Sequence, residues 1–415
     1  MVAQRCGNFG KLNPLAGRAM VPLRHRVRKV ALLVEWSRTY GRGVLRGIGK
    51  YVQTHGRWRV YQTERKLSET APAWLRKWKG DGIIARIESR KLAAQIKQMG
   101  LPVVNLFEHA YHECFPAVLT DNQAIARLAA EHLIERGLKR FAYCGLPSVD
   151  CCGERGRPFV QYLEQAGYEV HVYDPPRRQR TMSISASEGY ELQHEEAIVR
   201  WLRSLPKPIG LMASNDLRAH QILMLCGDNQ LAVPDEVAVI GVDNDEVICG
   251  LTQPPLSSIE QNPEEVGYQA AALLDGLMRG EPSPPRSIMI VGPKGVVSRQ
   301  STDFVAVADP DVAAALRFIR EHACDGISVD TILANVPVSR RTLERRFAAI
   351  LDRSPRDEIL RVQLRHIKQL LTVTDYPLAK IAEMTGFHYV ESMCSLFKKT
   401  TGQTPGEYRR GAGTE

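Results

Sequence analysis

The chain has 415 residues, of which 44% are hydrophobic and 24% charged, and its 55 Lys and Arg against 46 Asp and Glu give a formal net charge of +9. These values are typical of a globular protein with two or three domains, and they exclude a single small scaffold, a disordered chain and a fibrous one. No stretch approaches the roughly 18 apolar residues of a membrane span, and nine cysteines without zinc-ligand spacing indicate a reducing cytoplasm and no metal site.

The chain opens with a basic leader, residues 1–28, which we expect to be disordered. Residues 1–29 hold seven Lys or Arg and no acidic residue, whereas residues 30–308 are neutral overall and residues 309–415 carry a charge of +2. Most of the positive excess therefore lies in the leader, and the net charge alone is weak evidence for nucleic-acid binding.

From Lys29 to about Val291, short β-branched runs alternate with longer segments of helical period. This alternation is typical of parallel sheets covered on both faces by right-handed crossovers, and ten predicted strands suggest two such sheets in tandem. The predicted strands are Val30–Glu35, Trp58–Gln62, Gly82–Ala85, Val103–Leu106, Ala117–Leu119, Phe141–Cys144, Glu169–Tyr173, Gly210–Ala213, Val237–Val242 and Ser287–Val291. The predicted helices between them include Gly43–Thr54, Asn122–Arg136, Glu154–Ala166, Glu195–Ser204, Leu217–Asn229 and Glu264–Arg279.

The domain boundaries follow from changes of composition. Residues 29–300 form the predicted α/β domain of two lobes, with passages between the lobes near residues 147–153, where Gly, Pro and Ser collect, and near residues 244–256. After the Gly- and Pro-rich residues 280–295 the alternation ends, and residues 309–410 are predicted to be entirely helix and turn. This all-α domain contains two units of a short helix, a tight turn and a longer helix, an internal repeat of about 50 residues.

The longer helix of each repeat unit presents a polar face opposite a buried stripe. In the first unit Leu343 and Phe347 mark the stripe, and Arg341 and Arg345 fall one above the other on the opposite side. Guanidinium groups in that position can donate two hydrogen bonds to guanine, or contact phosphates, in a major groove. The alternative is a helical bundle whose solvated face is merely rich in arginine, and the duplication argues against it. The candidate DNA-binding residues are Arg340, Arg341, Arg345 and Arg346 in the first unit, and Glu391, Ser392, Ser395, Lys398 and Lys399 in the second.

Four phrases of the helical domain resemble a known family. Ser339–Phe347 and Pro377–Phe387, followed by Ser395–Lys399 and Thr404–Arg409, are similar to the two halves of an AraC/XylS-type DNA-binding domain. The resemblance implies two helix-turn-helix motifs in successive major grooves of double-stranded promoter DNA. The first turn holds Pro337 where such a turn often carries Gly. Because proline cannot adopt a positive φ, we expect this turn to be built differently.

The α/β domain resembles the LacI/GalR-type ligand-binding domain, whose fold is that of type I periplasmic sugar-binding proteins. The resemblance lies in His132–Gly145, Ser214–Asp216, Val239–Asn244 and Leu256–Leu274. Such a domain ahead of an AraC/XylS-type domain is similar to the xylose-operon regulators of bacteria. The resemblance implies a cytoplasmic, sugar-responsive activator of transcription with no cofactor and no catalytic residue. Its implied partners are a small xylose-like sugar, promoter DNA, RNA polymerase and a second copy of the chain.

The resemblance also implies two sugar-binding residues. Asp243, in the phrase VDN, matches an acceptor for adjacent sugar hydroxyls, and Arg155, four residues before Phe159, matches the effector-contacting arginine of the family. A hydroxyl-rich ligand needs such acceptors, fork donors for its oxygens and an aromatic plate for its C–H face.

Further candidates lie at predicted strand ends, where open parallel sheets bind their ligands. Asp216 and Asn215 end one strand, and Asp121 ends another. Asp121 and Asp216 would equally serve as N-caps of the helices that follow. Tyr40 and Trp36, in the loop after the first strand, are candidates for stacking on a sugar, with ordinary hinge packing as the alternative.

A glycine pattern after the first predicted strand is similar to the fingerprint of dinucleotide-binding enzymes. Gly41, Gly43 and Gly47 form GxGxxxG, and Glu64 follows about 20 residues later, as in a dinucleotide-binding fingerprint. A true fingerprint turns directly out of the strand, whereas residues 36–40 intervene here. The alternative function is therefore an NAD-binding or sugar-metabolising enzyme that carries a regulatory DNA-binding tail. No other catalytic motif in the sequence supports it.

Overall fold

A computed structural model of the chain describes residues 27–56, 58–63, 72–107, 115–145, 150–174, 195–281, 287–304 and 309–412, and the backbone alone of residues 150–154, 373, 411 and 412. Residues 1–26 of the predicted basic leader, together with Glu64, lie outside the described residues. The chain divides into two compact units. Residues up to 121 form unit 1 together with residues 262–292, and residues 122–261 form unit 2 together with residues 293–415.

Unit 1 contains a parallel sheet whose central strands are buried. Its strands among the described residues are β1 (Arg28–Leu33), β2 (Trp58–Tyr61), β3 (Gly82–Ala85), β4 (Val103–Asn105), β5 (Ala117–Thr120) and β11 (Ile288–Val291), in the order β11-β5-β4-β3-β1-β2. Each neighbouring pair is parallel. Every residue of β3 and β5 is buried, as in strands covered on both faces by crossover helices. The helices of this unit are α1 (Thr39–His55), α2 (Arg90–Lys97) and α8 (Pro263–Met278).

The glycines of the GxGxxxG pattern bring the backbone of α1 close to its neighbours. A Cβ atom on Gly47 would lie 1.9 Å from the backbone oxygen of Glu264, and one on Gly43 would lie 2.5 Å from the ring of Pro263. A Cβ atom on Gly41 would lie 1.8 Å from a backbone oxygen that follows β1. The pattern therefore serves the packing of α1 against α8 and against the end of β1, and does not form a phosphate-binding turn.

We expect Gly47→Ala to lower the free energy of unfolding by about 1–3 kcal/mol, because the added methyl group meets backbone that cannot move aside without shifting α8. Chemical unfolding in urea measures the change. Gly49→Ala is the matched control on the same helix. A Cβ atom at Gly49 has no atom within 4 Å, so alanine there should stabilise the helix by about 0.5–1 kcal/mol. Equal effects of the two substitutions would contradict the packing role of Gly47.

Unit 2 contains a second sheet of the same kind. Its strands among the described residues are β6 (Arg140–Cys144), β7 (Glu169–Val172), β8 (Ile209–Ala213), β9 (Val237–Val242), β10 (Ser257–Glu260) and β12 (Gly295–Val297), in the order β12-β10-β9-β8-β6-β7. Only β12 is antiparallel to its neighbour within this described sheet. The α/β helices of the unit are α3 (Asn122–Glu135), α4 (Asp150–Gln165), α5 (Glu196–Ser204), α6 (Asp216–Asp228) and α7 (Glu246–Leu251).

The remainder of unit 2 is helical. Its helices are α9 (Pro310–His322), α10 (Val329–Leu333), α11 (Arg340–Leu351), α12 (Pro355–Val373), α13 (Leu378–Met384), α14 (Val390–Thr401) and α15 (Pro405–Ala412). Serine side chains cap α10, α11 and α12 at Ser328, Ser339 and Ser354. The first repeat unit consists of α10 and α11, the second consists of α13 and α14, and α12 connects them. Each pair packs on its own apolar cluster.

The turns of the two repeat units differ as expected from Pro337. In the first unit, α10 ends at Leu333, the next residue, Ala334, has a φ of −70°, and no residue from Ala334 to Ser339 has a positive φ. In the second unit, Gly386 has a φ of 78°. A Cβ atom on Gly386 would lie 2.6 Å from the backbone nitrogen of Gly326, so the second turn requires glycine for space as well as for conformation.

The predicted architecture, a two-sheet α/β domain followed by an all-α domain, is confirmed. Each predicted strand is present, with ends that differ by at most two residues. The prediction missed β10, β12, α2, α7 and α15. Polarity hid β10, because Ser257 and Ser258 are fully buried strand residues whose hydroxyl groups are hydrogen-bonded inside the unit.

The predicted passages between the lobes were wrong. The chain changes unit between residues 121 and 122, 261 and 262, and 292 and 293, and not near residues 147–153 or 244–256. Residues 146–149 lie outside the described residues, but β6 and β7 on either side of them belong to one sheet. The Gly- and Pro-rich composition there accompanies a connection within unit 2. The actual changes follow strands directly, as where Thr120 ends β5 and Asn122 begins α3.

A buried histidine makes the stability of unit 2 depend on pH. His132 on α3 is 6% exposed, and its Nε2 lies 2.8 Å from the Thr302 hydroxyl. Burial, together with the neighbouring Arg136 guanidinium, lowers the pKa of His132 to about 3. The folded protein therefore keeps this imidazole neutral between pH 6.5 and 3, whereas the unfolded chain protonates it.

We expect the free energy of unfolding to fall by about 1.4 kcal/mol for each pH unit below 6.5 from this group alone, or about 2 kcal/mol at pH 5. Because the folded pKa is depressed, the loss appears as the pH falls and ends near pH 3. His132→Gln should remove this slope, and His388→Gln, at an exposed histidine, should leave it in place. Urea unfolding between pH 5 and 7.5 measures both. A slope unchanged in His132→Gln would contradict the assignment.

Candidate functional site

Three neighbouring strands of unit 2 end in polar residues at one edge of the sheet. Ser214 follows β8, Asp243 follows β9 and Gln261 follows β10. Asp243 has a φ of 113°, a conformation that non-glycine residues rarely adopt. Its carboxylate accepts a hydrogen bond from the Gln261 side-chain amide, and its backbone N–H donates to the carbonyl oxygen of Ile259 at 3.0 Å. The carboxylate of Asp243 is thus held in a fixed position at the carboxyl ends of the strands.

Arg155 lies at the same edge of the sheet. Its Nε donates to the Asn122 side-chain oxygen at 2.7 Å, and its Nη1 donates to the Ser214 carbonyl oxygen at 2.6 Å. Phe159, one turn later on α4, is fully buried and fixes this helix against the sheet. We call Asn122, Arg155, Ser214, Asp243 and Gln261 the effector cluster. It offers a guanidinium, a carboxylate and two amides, which are the groups that bind a hydroxyl-rich ligand.

Two of the predicted effector residues have structural roles. Asp216 is 1% exposed, and its carboxylate accepts hydrogen bonds from the Ser258 hydroxyl at 2.6 Å and from the backbone N–H of Asp245 at 2.7 Å. Burial and the charge of Asp243 raise the pKa of Asp216. These hydrogen bonds join the Asp216 carboxylate to β10 and to the loop after β9, and its contact with an effector stays a prediction. The N-cap of α6 is Asn215, whose side chain accepts from the backbone N–H of Arg218 at 2.8 Å.

The remaining predicted effector residues belong to unit 1. The Tyr40 hydroxyl lies 3.2 Å from the Thr120 hydroxyl, and the Arg86 guanidinium lies 5.3 Å from the centre of the Tyr40 ring. Trp36 is 43% exposed. Asp121 is the last residue before the chain changes unit, and its backbone N–H donates to the Val291 carbonyl oxygen at 2.9 Å. Their contacts with a sugar stay predictions.

Sequence reasoning missed an ion pair in unit 1 and the glutamine of unit 2. The carboxylate of Glu35, which is 2% exposed, pairs with Arg86. Glu35 follows β1 and Arg86 follows β3, so the pair lies at the topological switch point of that sheet. Gln261 likewise follows β10. A polar residue within two positions of the end of a strand is the signal that could have identified Glu35, Arg86 and Gln261 from the sequence. Glu35 was instead predicted to be the last residue of its strand.

The first recognition helix, α11, separates its arginines into two groups. Arg341 and Arg345 are exposed, and neither is ion-paired to any residue that the structure describes. Arg340 pairs with Asp330 at 2.6 Å on the surface, an exposed pair that contributes little and can exchange for a phosphate. Arg346 instead contacts two carboxylates at the start of α9, Asp309 at 3.0 Å and Asp311 at 2.8 Å. These contacts secure α11 to α9, and a contact between Arg346 and DNA stays a prediction.

The second recognition helix, α14, keeps its predicted polar face. Met393 and Phe397 are fully buried against the second repeat unit. The predicted DNA-binding residues of this helix are all exposed, namely Glu391, Ser392, Ser395, Lys398 and Lys399. The same division into a buried stripe and an exposed polar face is found in α11, where Leu343 and Phe347 are buried. Both helices can therefore enter a major groove without losing core contacts.

The described residues contain neither a metal-binding cluster nor a membrane-spanning helix. No group of three or more His, Cys, Asp or Glu in that part of the chain is arranged to hold a metal ion. No helix within the described ranges combines the length and the apolar character that crossing a bilayer requires.

Three family models match the chain in succession. Residues 29–123 match the XylR N-terminal domain, residues 130–302 match the periplasmic binding protein-like domain, and residues 333–411 match a helix-turn-helix domain.

Curated and solved relatives match along nearly the whole chain. The xylose operon regulatory protein of Haemophilus influenzae is 33% identical over 389 residues, 92% of this chain and 98% of the relative. The protein of the same name from Escherichia coli strain K12 is 34% identical over 400 residues, 94% of this chain and 98% of the relative. The solved structure of the xylose-binding transcription activator XylR is 32% identical, with a TM-score of 0.76 over 93% of this chain and 98% of that one.

Proposed function

Because the chain belongs to the family of xylose operon regulatory proteins, we propose that it binds D-xylose or a related pentose and activates transcription of sugar-catabolic genes in response. The chain is a DNA-binding transcription regulator, with a sugar-binding α/β domain ahead of a double helix-turn-helix domain.

The observation that carries the sugar assignment is the effector cluster of unit 2. The resemblance implies Asp243 and Arg155. Asp243 directly follows β9, and the Arg155 side chain reaches Ser214 after the neighbouring strand β8, at the edge where parallel α/β sheets bind ligands. Asp243 accepts hydrogen bonds from two adjacent sugar hydroxyls, and Arg155 donates to a sugar oxygen. The relatives whose names refer to xylose favour a pentose over other polyols.

The DNA-binding assignment depends on α11 and α14. Arg341 and Arg345 read base edges from α11, and the exposed face of α14 contacts a second major groove of the promoter. Arg340, Lys398 and Lys399 contact phosphates, which position the domain without specifying sequence.

The alternative enzyme function is not supported. The relatives that cover this chain are named as regulators of an operon. The glycines that imitate a dinucleotide fingerprint pack α1 against α8 and against the end of β1, which leaves no glycine-rich turn for a pyrophosphate.

We also propose two protein partners for the regulator, a second copy of the chain and RNA polymerase. A second copy of the chain forms a homodimer that presents four helix-turn-helix motifs, and RNA polymerase is recruited beside them in the cytoplasm. The symmetry of operator half-sites and the mass of the protein–DNA complex in solution test the dimer.

Calorimetric titration with a panel of pentoses and hexoses tests the sugar assignment. We expect D-xylose or a close pentose to bind and to remain unchanged chemically, and we expect NAD to give no heat of binding. A hexose that binds more tightly than every pentose would overturn the pentose assignment. Chemical conversion of a bound sugar would instead support the alternative enzyme function.

A further inference from the structure

Five residues between β12 and α9 contact both residues 243–245, the loop after β9 that we call the effector loop, and the helical domain. We call residues 299–303 the joint segment. At its start, the Arg299 guanidinium donates to the Asn244 side-chain oxygen at 2.8 Å through Nη2 and to the Leu256 carbonyl oxygen at 2.9 Å through Nη1. Asn244 directly follows Asp243 of the effector cluster. Arg299 therefore grips the loop that carries the proposed sugar ligand.

The middle of the joint segment is locked into the sheet of unit 2. Ser301 and Thr302 are fully buried. The Ser301 hydroxyl donates to the Val239 carbonyl oxygen at 2.6 Å and accepts from the backbone N–H of Ser257 at 2.8 Å. The Thr302 hydroxyl donates to the Ser257 hydroxyl at 2.7 Å. Because its middle is buried and fully bonded, the segment moves with β9 and β10 and does not flex independently of them.

Two residues of the joint segment, Gln300 and Asp303, contact α12, the helix that connects the two repeat units. The Gln300 side-chain amide lies 2.9 Å from Nε2 of His366, and the Asp303 carboxylate accepts hydrogen bonds from Arg361 and Arg365. Burial opposes ionisation of Asp303, but the hydrogen bond and charge of Arg365, with the charge of Arg361, lower its pKa to about 2. Asp303 is therefore charged at neutral pH and held by two guanidiniums of the DNA-binding domain.

The loop after β9 is held by side chains at both of its first two residues. Asp243 has a φ of 113°, a conformation that non-glycine residues rarely adopt, and Asn244 has a φ of 49°, in the left-handed region that asparagine adopts more readily than most residues. The Gln261 side chain contacts Asp243, and the Arg299 side chain contacts Asn244. A ligand that competes for Asp243 alters the balance of these contacts.

We propose that residues 299–303 transmit the state of the effector loop to α12, with Arg299 positioning the loop and Asp303 positioning the DNA-binding domain. This inference rests on the proposed function, because it names how a sugar bound at Asp243 reaches the recognition helices. A shift of β9 and of the loop that carries Asp243 and Asn244 moves the joint segment with it, and Asp303 passes this movement to Arg361 and Arg365. The path is continuous, and each of its contacts is a side-chain hydrogen bond that a substitution can remove.

Substitution at either end of the segment tests the proposal on the full chain. Arg299→Lys keeps the charge but loses the fork that reaches Asn244 and Leu256 together. Asp303→Asn keeps the shape but loses the charge that Arg361 and Arg365 share. Asp235→Asn is the matched control, because Asp235 also joins the α/β part of unit 2 to α9, through Arg320 and Arg317, without contacting the effector loop.

The readout is operator affinity by fluorescence anisotropy at fixed salt, with and without saturating D-xylose, beside sugar affinity by calorimetry. We expect wild type and Asp235→Asn to show a change of about fivefold or more, and Arg299→Lys and Asp303→Asn to show less than about twofold. Asp303→Asn should bind sugar within about threefold of wild type, which separates lost transmission from lost binding. Thermal unfolding verifies that each variant is folded.

Full sugar response in both joint variants would overturn the proposal, as would an equal loss of response in Asp235→Asn. Failure of the proposed function looks different, because wild type itself then binds no pentose or shows no response to it.

Discussion

Asp243→Ala is expected to weaken sugar binding by at least about 100-fold while operator affinity without sugar stays unchanged. The substitution removes an ionised acceptor that serves two hydroxyl groups, and each hydrogen bond to a charged group contributes about 1.5–3 kcal/mol. Asp243 directly follows β9, and its carboxylate and backbone N–H bond to Gln261 and Ile259 of the α/β part of unit 2. Calorimetry for the sugar and anisotropy for the operator measure the two affinities.

Two further variants separate the carboxylate from the backbone at this position. Asp243→Asn tolerates a positive φ better than alanine does, so it should fold as wild type and still lose most of the sugar affinity. Glu246→Ala removes an exposed carboxylate from the neighbouring helix and should leave the sugar affinity within about twofold. Undiminished sugar binding by Asp243→Asn and Asp243→Ala would remove this residue from the site.

The double variant Arg341→Ala/Arg345→Ala is expected to weaken specific operator binding by about 100-fold or more, since each base-contacting arginine contributes about 1–3 kcal/mol. Both side chains are exposed on α11 and are not ion-paired within the described residues, so their removal leaves the helix and its core intact. Operator and random duplexes titrated at one salt concentration measure the loss of specificity.

Arg356→Ala provides the matched control for the loss of charge. Arg356 is exposed on α12, outside both recognition helices, so its removal should weaken operator and random DNA slightly and equally. Equal losses on operator and random DNA in the double variant would reduce Arg341 and Arg345 to phosphate contacts.

The sequence is sufficient for those features that depend on local pattern. Runs rich in β-branched residues predicted ten of the twelve described strands, and the spacing of Leu343 and Phe347 predicted which side of α11 is exposed. Asp243 was identified through the resemblance of the phrase VDN to the family motif. Pro337 correctly indicated a first turn without a left-handed residue.

Features that depend on partners distant in the sequence were not predictable in the same way. Asp216 and Asp243 both follow strands, and only Ser258, 42 residues after Asp216, reveals that the Asp216 carboxylate is buried and occupied. Arg346 resembled its neighbours because Asp309, its partner, lies 37 residues earlier. The boundaries between the two units were also not predicted, because the chain passes from one sheet to the other where the sheet topology requires it, and not where Gly and Pro are frequent.

The coupling of sugar binding to DNA binding is tested most directly by the affinity of the full chain for its promoter fragment. This affinity is measured at one fixed salt concentration, without sugar and with saturating D-xylose. Fixed salt is essential because phosphate contacts alone make the affinity vary with ionic strength. We expect the promoter affinity to change by about fivefold or more, and the sugar affinity to change by an equal factor when the promoter is bound, because coupling between two sites is reciprocal. Promoter affinity that is the same with and without the sugar would contradict it.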